Sequence, residues 1–317
     1  MWDLSPASID LAILAFCAAV VNGAVGYGFS SIVTPIALFW TTNRILNPAL
    51  VLVELLVNVT LLIRERRLIR STYPRTLPMI YGLLPGVVVG SVGLVLISAT
   101  FVRIVVYALI LPLTILQLLG YRRHIVRERT AGPVLGAGIG FLYSLTTISG
   151  PPLALFWRNQ GLSKEEFRCA ISQVRVAEAS FTTVSYLLLG LFAPPSLGLI
   201  PVLLVPVIVG VPLGTIVLRG VSRDFFSRFI MAVDGIIVSY GLYTVLVKVH
   251  WLTNEEGLLF VLGITAMILV LLVRVVSRLP AILARTEARI REGRLEATLP
   301  GGAPLAGERA LGADPPR

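Results

Sequence analysis

Apolar residues in this chain run in long unbroken stretches, roughly 7–42, 47–63, 76–98, 104–121, 132–157, 169–190, 198–218, 229–247 and 257–273. Most are near the ~20 residues a helix needs to cross the hydrocarbon core of a bilayer. The pattern predicts an all-α polytopic membrane protein. The first stretch is too long for one crossing and is interrupted at 22–28 by the run NGAVGYG; the fifth is interrupted near 144–150. Residues 7–42 divide into two pieces of about 14–16 residues, roughly 21–24 Å each as helix. Such a pair is a hairpin that dips in and returns, or two short tilted spans. Either brings the chain back to the side on which it started.

The interruptions recur with a repeat. Pro35–Trp40 (PIALFW) matches Pro152–Trp157 (PLALFW) at five of six positions, an offset of 117, and each string follows a glycine-rich run, 22–28 in one copy and Gly136-Ala137-Gly138-Ile139-Gly140 in the other. Later landmarks (Ala49 with Ala170, Pro85 with Pro206, Gly93 with Gly214) lie 121 apart. The expected architecture is two inverted repeats, 1–130 and 131–250. Each is a broken or re-entrant helix pair plus three transmembrane helices. An appended transmembrane helix (251–278) and a cytoplasmic tail (279–317) follow. Residues 281–298 read as an amphipathic surface helix and 299–317 as disordered. Broken apolar segments at matching places in two halves point to a transporter's binding site.

Composition agrees with the membrane reading. Hydrophobic residues make up 56% of 317, charged residues 14%, and the mean hydropathy is +0.87. A soluble domain carries about 25% charged residues. The net charge of +10 does not point to nucleic acid, because most basic residues lie between apolar segments. With both broken segments returning to their starting side and the N-terminus outside, the outer loops hold three basic residues (Arg44, Arg103, Lys248). The inner loops then hold fifteen, from Arg64 to Arg228, and the tail eight more. The alternative, single crossings with the N-terminus inside, puts 14 basic residues outside and violates the positive-inside bias. The C-terminus is therefore expected in the cytoplasm. The first segment lacks a signal peptide's basic flank and is expected to stay. Cys17 and Cys169 read as small buried apolar residues, and His124 and His250 fall in loops. No metal or cofactor motif is present in the sequence. An intramembrane enzyme would need a buried base beside Ser149, or an HExxH, and the sequence offers neither.

The breaks carry the candidate chemistry. Ser149 would cap a half-helix that restarts at Gly150-Pro151-Pro152, and Thr34-Pro35 would play the same part in the first copy. Each restart would aim free N–H groups at an anion. Gly26, Tyr27, Gly28, Ser30, Ser31, Thr34, Thr146, Thr147, Ser149, Gly150, Pro151 and Arg175 are the candidate substrate-binding residues. Phe39, Trp40, Phe156 and Trp157 read as interfacial anchors. Ionisable and polar residues at depth, Glu54, Asn58, Gln173, Glu178 and Asp234, are coupling candidates. Arg175 has two readings, an anion ligand or a structural partner of Glu178 or Glu54. Asp234 reads as structural, nearer a loop.

The run Thr147-Ile-Ser-Gly-Pro-Pro-Leu, followed by Arg158-Asn-Gln-Gly-Leu-Ser-Lys-Glu-Glu-Phe-Arg168, resembles the TauE/SafE family of sulfite/organosulfonate exporters, also described as the 4-toluene sulfonate uptake permease family. The first-half run Gly23…Gly26-Tyr-Gly28…Pro35 is similar to that family's glycine-rich motif, with Phe29 and Ser30 where a denser glycine cluster usually stands. The resemblance covers about 8–250. It implies an inner-membrane permease for small anions such as sulfite, sulfonates or related oxyanions. The expected partners are a small anionic substrate and the lipid bilayer; coupling protons, as against export down the anion's own gradient, and a homodimer are left open. A passive anion channel is the alternative the sequence leaves open.

Overall fold

The computed structural model describes residues 6–119, 128–158, 160–217, 223–274 and 277. The expected surface helix at 281–298 and tail at 299–317 lie outside the described residues. The chain divides into two units, Met1–Leu272 and Val273–Arg317, and the helical bundle is the first. Its helices are α1 (Pro6–Val25), α2 (Phe29–Ala37), α3 (Asn43–Arg64), α4 (Ile69–Leu96, after a 3₁₀ turn at Arg66–Leu68), α5 (Ala99–Leu119), α6 (Glu128–Thr146), α7 (Gly150–Arg158), α8 (Lys164–Leu188), α9 (Pro194–Val217), α10 (Arg223–Lys248) and α11 (Asn254–Arg274). Among the described residues six helices are long and apolar enough to cross a membrane: α3, α4, α5, α9, α10 and α11.

One offset relates the two halves. The ends of α1 and α6, the starts and ends of α2 and α7, the starts of α3 and α8, and the ends of α4 and α9 are each 121 residues apart (25 and 146, 29 and 150, 37 and 158, 43 and 164, 96 and 217). Packing follows the same correspondence. α4 packs on α6 and α8, as α9 packs on α1 and α3. α2 packs on α10 as α7 does on α5, while α3 with α8 and α5 with α10 pair directly.

Glycines set how close these helices come. Added Cβ atoms at Gly82 and Gly86 of α4 would run into the backbone of Pro133 and Ala137 on α6, and at Gly136 and Gly140 of α6 into Met79 and Leu83 on α4. Gly23 against Val211, and Gly214 against Val20, make the equivalent approach of α1 and α9. The run Gly136–Gly140, expected to precede a break, therefore lies inside α6 as a packing surface. The interruptions are also shorter than 22–28 and 144–150: helix continues to Val25 and Thr146, leaving 26–28 and 147–149. The pieces are unequal, 20 and 9 residues in the first half and 19 and 9 in the second.

Other placements differ from expectation. Cys17 is exposed on α1, while Cys169 is buried. Phe39 and Trp40 lie past the end of α2 and are exposed, but Phe156 and Trp157 sit inside α7 and are buried, stacked edge to face. Asp234 is in the middle of α10, not near a loop.

Candidate functional site

The first break is made by two glycines. Gly26 and Gly28 have φ of 93° and 104°, a region that a Cβ disfavours, and the Gly26 N–H bonds the Asn22 carbonyl at 2.7 Å to end α1. The restart comes at Phe29, not at Thr34-Pro35, which lie well inside α2. Ile32 is the residue whose N–H first reaches back, to the Gly28 carbonyl. Helix geometry thus leaves Phe29, Ser30 and Ser31 N–H groups without an intrahelical acceptor. The Ser30 and Ser31 hydroxyls are buried and have no hydrogen-bond partner among the described residues.

The second break contains no glycine. Thr147 takes the left-handed turn, with φ of 61°. Its cost is offset by complete use of the carbonyls that α6 leaves behind, an accounting that lipid enforces. Thr147 N–H donates to Tyr143 O, Tyr186 OH to Ser144 O, Asn47 Nδ2 to Leu145 O at 2.9 Å, and Thr147 Oγ1 to Thr146 O at 2.6 Å. Thr146 Oγ1 donates to Leu142 O and accepts the Ile148 N–H.

Ser149 is not an N-cap here. A cap bonds the N–H of the second or third helical residue, and those residues are Pro151 and Pro152, which have none. Its hydroxyl instead donates to Glu178 Oε2 at 2.7 Å. Leu153 N–H bonds Ser149 O, so the first turn of α7 offers an anion the Gly150 N–H alone.

The two breaks meet. Thr34 and Thr147 share a hydrogen bond of 3.0 Å. A Cβ on Gly150 would lie 3.4 Å from the Tyr27 ring, 3.5 Å from Arg175 Nη1 and 3.6 Å from the Gly28 nitrogen. The far ends of α2 and α7 are tied to opposite ends of α4. Beyond α2, Arg44 donates to the carbonyls of Leu94, Val95 and Ile97 where α4 stops. Beyond α7, the Gln160 carbonyl accepts from Arg75 near where α4 starts.

Beside this junction lies a buried charge cluster. Glu54 and Arg175 are each the twelfth residue of their helices, α3 and α8, and are 121 apart in sequence. Arg175 Nη2 donates to Glu54 Oε1 at 2.5 Å, and Tyr143 OH to Glu54 Oε2 at 2.9 Å. The pairing open in the sequence thus goes to Glu54. Arg175 Nε and Glu178 Oε1 are buried without hydrogen-bond partners among the described residues. Residues 11–242 match the family model described as Sulfite exporter TauE/SafE. The chain belongs to this family. No curated protein and no solved structure matches the chain. TauE/SafE proteins are membrane transporters, so this chain is a multi-pass membrane protein of a transporter family.

In this TauE/SafE chain the candidate residues separate into a cluster and outliers. Gly26, Tyr27, Gly28, Thr34, Thr146, Thr147, Ser149, Gly150, Pro151, Arg175, Glu54 and Glu178 converge on the junction or its flanks, with Ser30 and Ser31 in the first turn of α2. Asn58 donates to the Glu54 carbonyl one turn back on its own helix, at 2.7 Å. Gln173 belongs to a separate polar group, accepting from Thr76 Oγ1 at 2.6 Å and donating to Thr72 Oγ1 and Ile69 O. Asp234 is buried on α10 with neither carboxylate oxygen hydrogen-bonded among the described residues. Sequence reasoning missed Asn47, Tyr143 and Tyr186. Their signal was a polar atom in an apolar helix, which in lipid demands a partner.

Proposed function

We propose that the chain is a secondary transporter of small oxyanions, sulfite and sulfonates among them, working by alternating access in the cell inner (plasma) membrane. The observation that carries this is the meeting of two chain breaks beside Arg175, a buried cation with an uncommitted Nε. A small anion there would take Arg175 and the N–H and hydroxyl groups at the start of α2, where the helix dipole favours negative charge. Two inverted repeats support the mechanism. The 121-residue register and the exchanged packing pairs relate the halves, and α2 and α7 point at one another from opposite ends of α4. With the charge distribution of the loops, the reading puts the N-terminus outside and the C-terminus in the cytoplasm.

The test is flux into liposomes of labelled sulfite and a panel of alkyl and aryl sulfonates by purified protein. Saturable uptake with accelerated counterflow is the expected result and separates a carrier from a channel. Folded protein that moves none of these anions refutes the reading.

A further inference from the structure

We propose that Glu178 holds a proton that enters the site together with the anion, making this carboxylate the coupling group. The proposal rests on the anion-transporter reading above. The buried acids of the helical bundle differ in their surroundings. Glu54 has both oxygens engaged, one by Arg175 and one by Tyr143. Asp234 lies on α10 with no hydrogen bond to either break. Glu178 is fully buried at the junction, with Oε2 held by Ser149 of the second break and Oε1 unpartnered among the described residues.

Charge then decides the protonation state an anion can tolerate. The titratable groups around Glu178 are Arg175 on its own helix, Glu54 on α3 and Tyr143 on α6. From the other elements packed on α8, Arg70, Tyr73 and Tyr81 of α4 and Arg66 and Arg67 of the 3₁₀ turn are exposed, Arg75 is engaged with Gln160, and residues 150–157 of α7 include no titratable side chain. With Glu54 and Glu178 both ionised, one guanidinium faces two carboxylates and the cluster is negative. An anion approaching Arg175 Nε would be repelled by a charge that no solvent screens. A proton on Glu178 removes that charge and turns Oε1 into a donor. Proton and anion therefore occupy the site together and travel in the same direction, a monoanion crossing as a neutral pair.

The sign of the pH effect follows. The binding-competent form is protonated, so affinity is greatest at low pH and falls as pH rises, by about tenfold per pH unit once the free carboxyl is ionised. The test uses the full chain in liposomes holding a trapped pH-sensitive dye, with methanesulfonate as the probe because it stays a monoanion through the neutral range. Wild-type protein should admit about one proton per methanesulfonate, with uptake indifferent to an imposed membrane potential. Glu178→Gln should abolish proton entry, and its methanesulfonate affinity, read by calorimetry in detergent, should lose the pH slope. Methanesulfonate uptake by wild type without proton entry overturns the proposal and leaves the transporter reading standing, and needs no variant to fold. Proton entry retained in Glu178→Gln does the same. No uptake of methanesulfonate or of any anion in the panel overturns both.

Discussion

Arg175→Ala is the perturbation whose size the structure fixes best. The Arg175 Nη2 to Glu54 Oε1 distance is 2.5 Å, and the two side chains are 3% and 2% exposed. At an effective dielectric near 20, Coulomb attraction at that separation is about 7 kcal/mol, an upper bound that desolvation of both ions largely offsets. The net worth of the pair is therefore small, but removing one partner leaves Glu54 buried and unpaired, at a cost of about 3–5 kcal/mol. The double substitution Arg175→Ala/Glu54→Gln removes the stranded charge and should recover about 1–3 kcal/mol of that loss. Equilibrium unfolding in mixed micelles measures both, and calorimetry with sulfite measures binding. With Arg175 as the proposed cation for the anion, the double variant should regain stability but not sulfite binding. Two results refute it. One is a loss below about 1 kcal/mol for Arg175→Ala, since an unpaired buried carboxylate cannot be that cheap. The other is a double variant no more stable than the single.

Three further outcomes are expected. Within the glycine run of α6, Gly136→Ala should destabilise by about 1–3 kcal/mol because its Cβ meets the Met79 carbonyl, whereas Gly138→Ala, which meets nothing within 4 Å, should stabilise by up to about 1 kcal/mol through helix propensity; unfolding of the pair checks the opposite signs. Gly28→Ala has open space for its Cβ but a φ of 104°, so about 1–2 kcal/mol of stability should be lost through backbone strain alone, with sulfite flux falling alongside, as unfolding and liposome assays measure. Gly150→Leu should insert into the membrane yet lose flux, because atoms beyond Cβ enter the space held by Tyr27 and Arg175; insertion by protease accessibility and flux in liposomes separate the two effects.

Much of the site was legible because lipid makes polar groups conspicuous. Glu54 and Arg175 stand out in apolar helices, and their shared 121 offset made a contact between the halves one of the two pairings the sequence left open; the packing of α3 on α8 decides for it. Gly26 and Gly28 were legible as a break because nothing else takes that backbone so readily. Gly136 and Gly140 look the same in sequence and do a different job. A packing glycine and a breaking glycine differ only in what lies opposite, here the backbone of Met79 and Leu83, more than fifty residues away. The second break was signalled by the recurrent string and the Ser149-Gly150-Pro151-Pro152 run, and the side chains that make it tolerable, Asn47 and Tyr186, come from other helices. Asp234 was misplaced because its helix begins at Arg223, six residues before the apolar run does.

The most visible repeat in the sequence is also the one out of register. The string shared by Pro35–Trp40 and Pro152–Trp157 is offset by 117, whereas the helices that carry it are offset by 121. The slip of four residues is about one helical turn. Pro35 is consequently the seventh residue of α2, and Pro152 the third of α7. With Pro151 and Pro152 in its first turn, α7 keeps only the Gly150 N–H as a free backbone donor, while α2 keeps all of its own. The slip also carries Trp157 into the core while Trp40 falls beyond its helix. Alternating access by exchange of two equivalent conformations requires a scaffold whose halves correspond, and the helix ends and packing pairs supply that correspondence. It does not require a symmetric pocket. The slip sits in the pieces that flank the proposed site, so an anion there would lean on α2 and Arg175, with α7 supplying the Gly150 N–H, Ser149 and, through Ser149, Glu178.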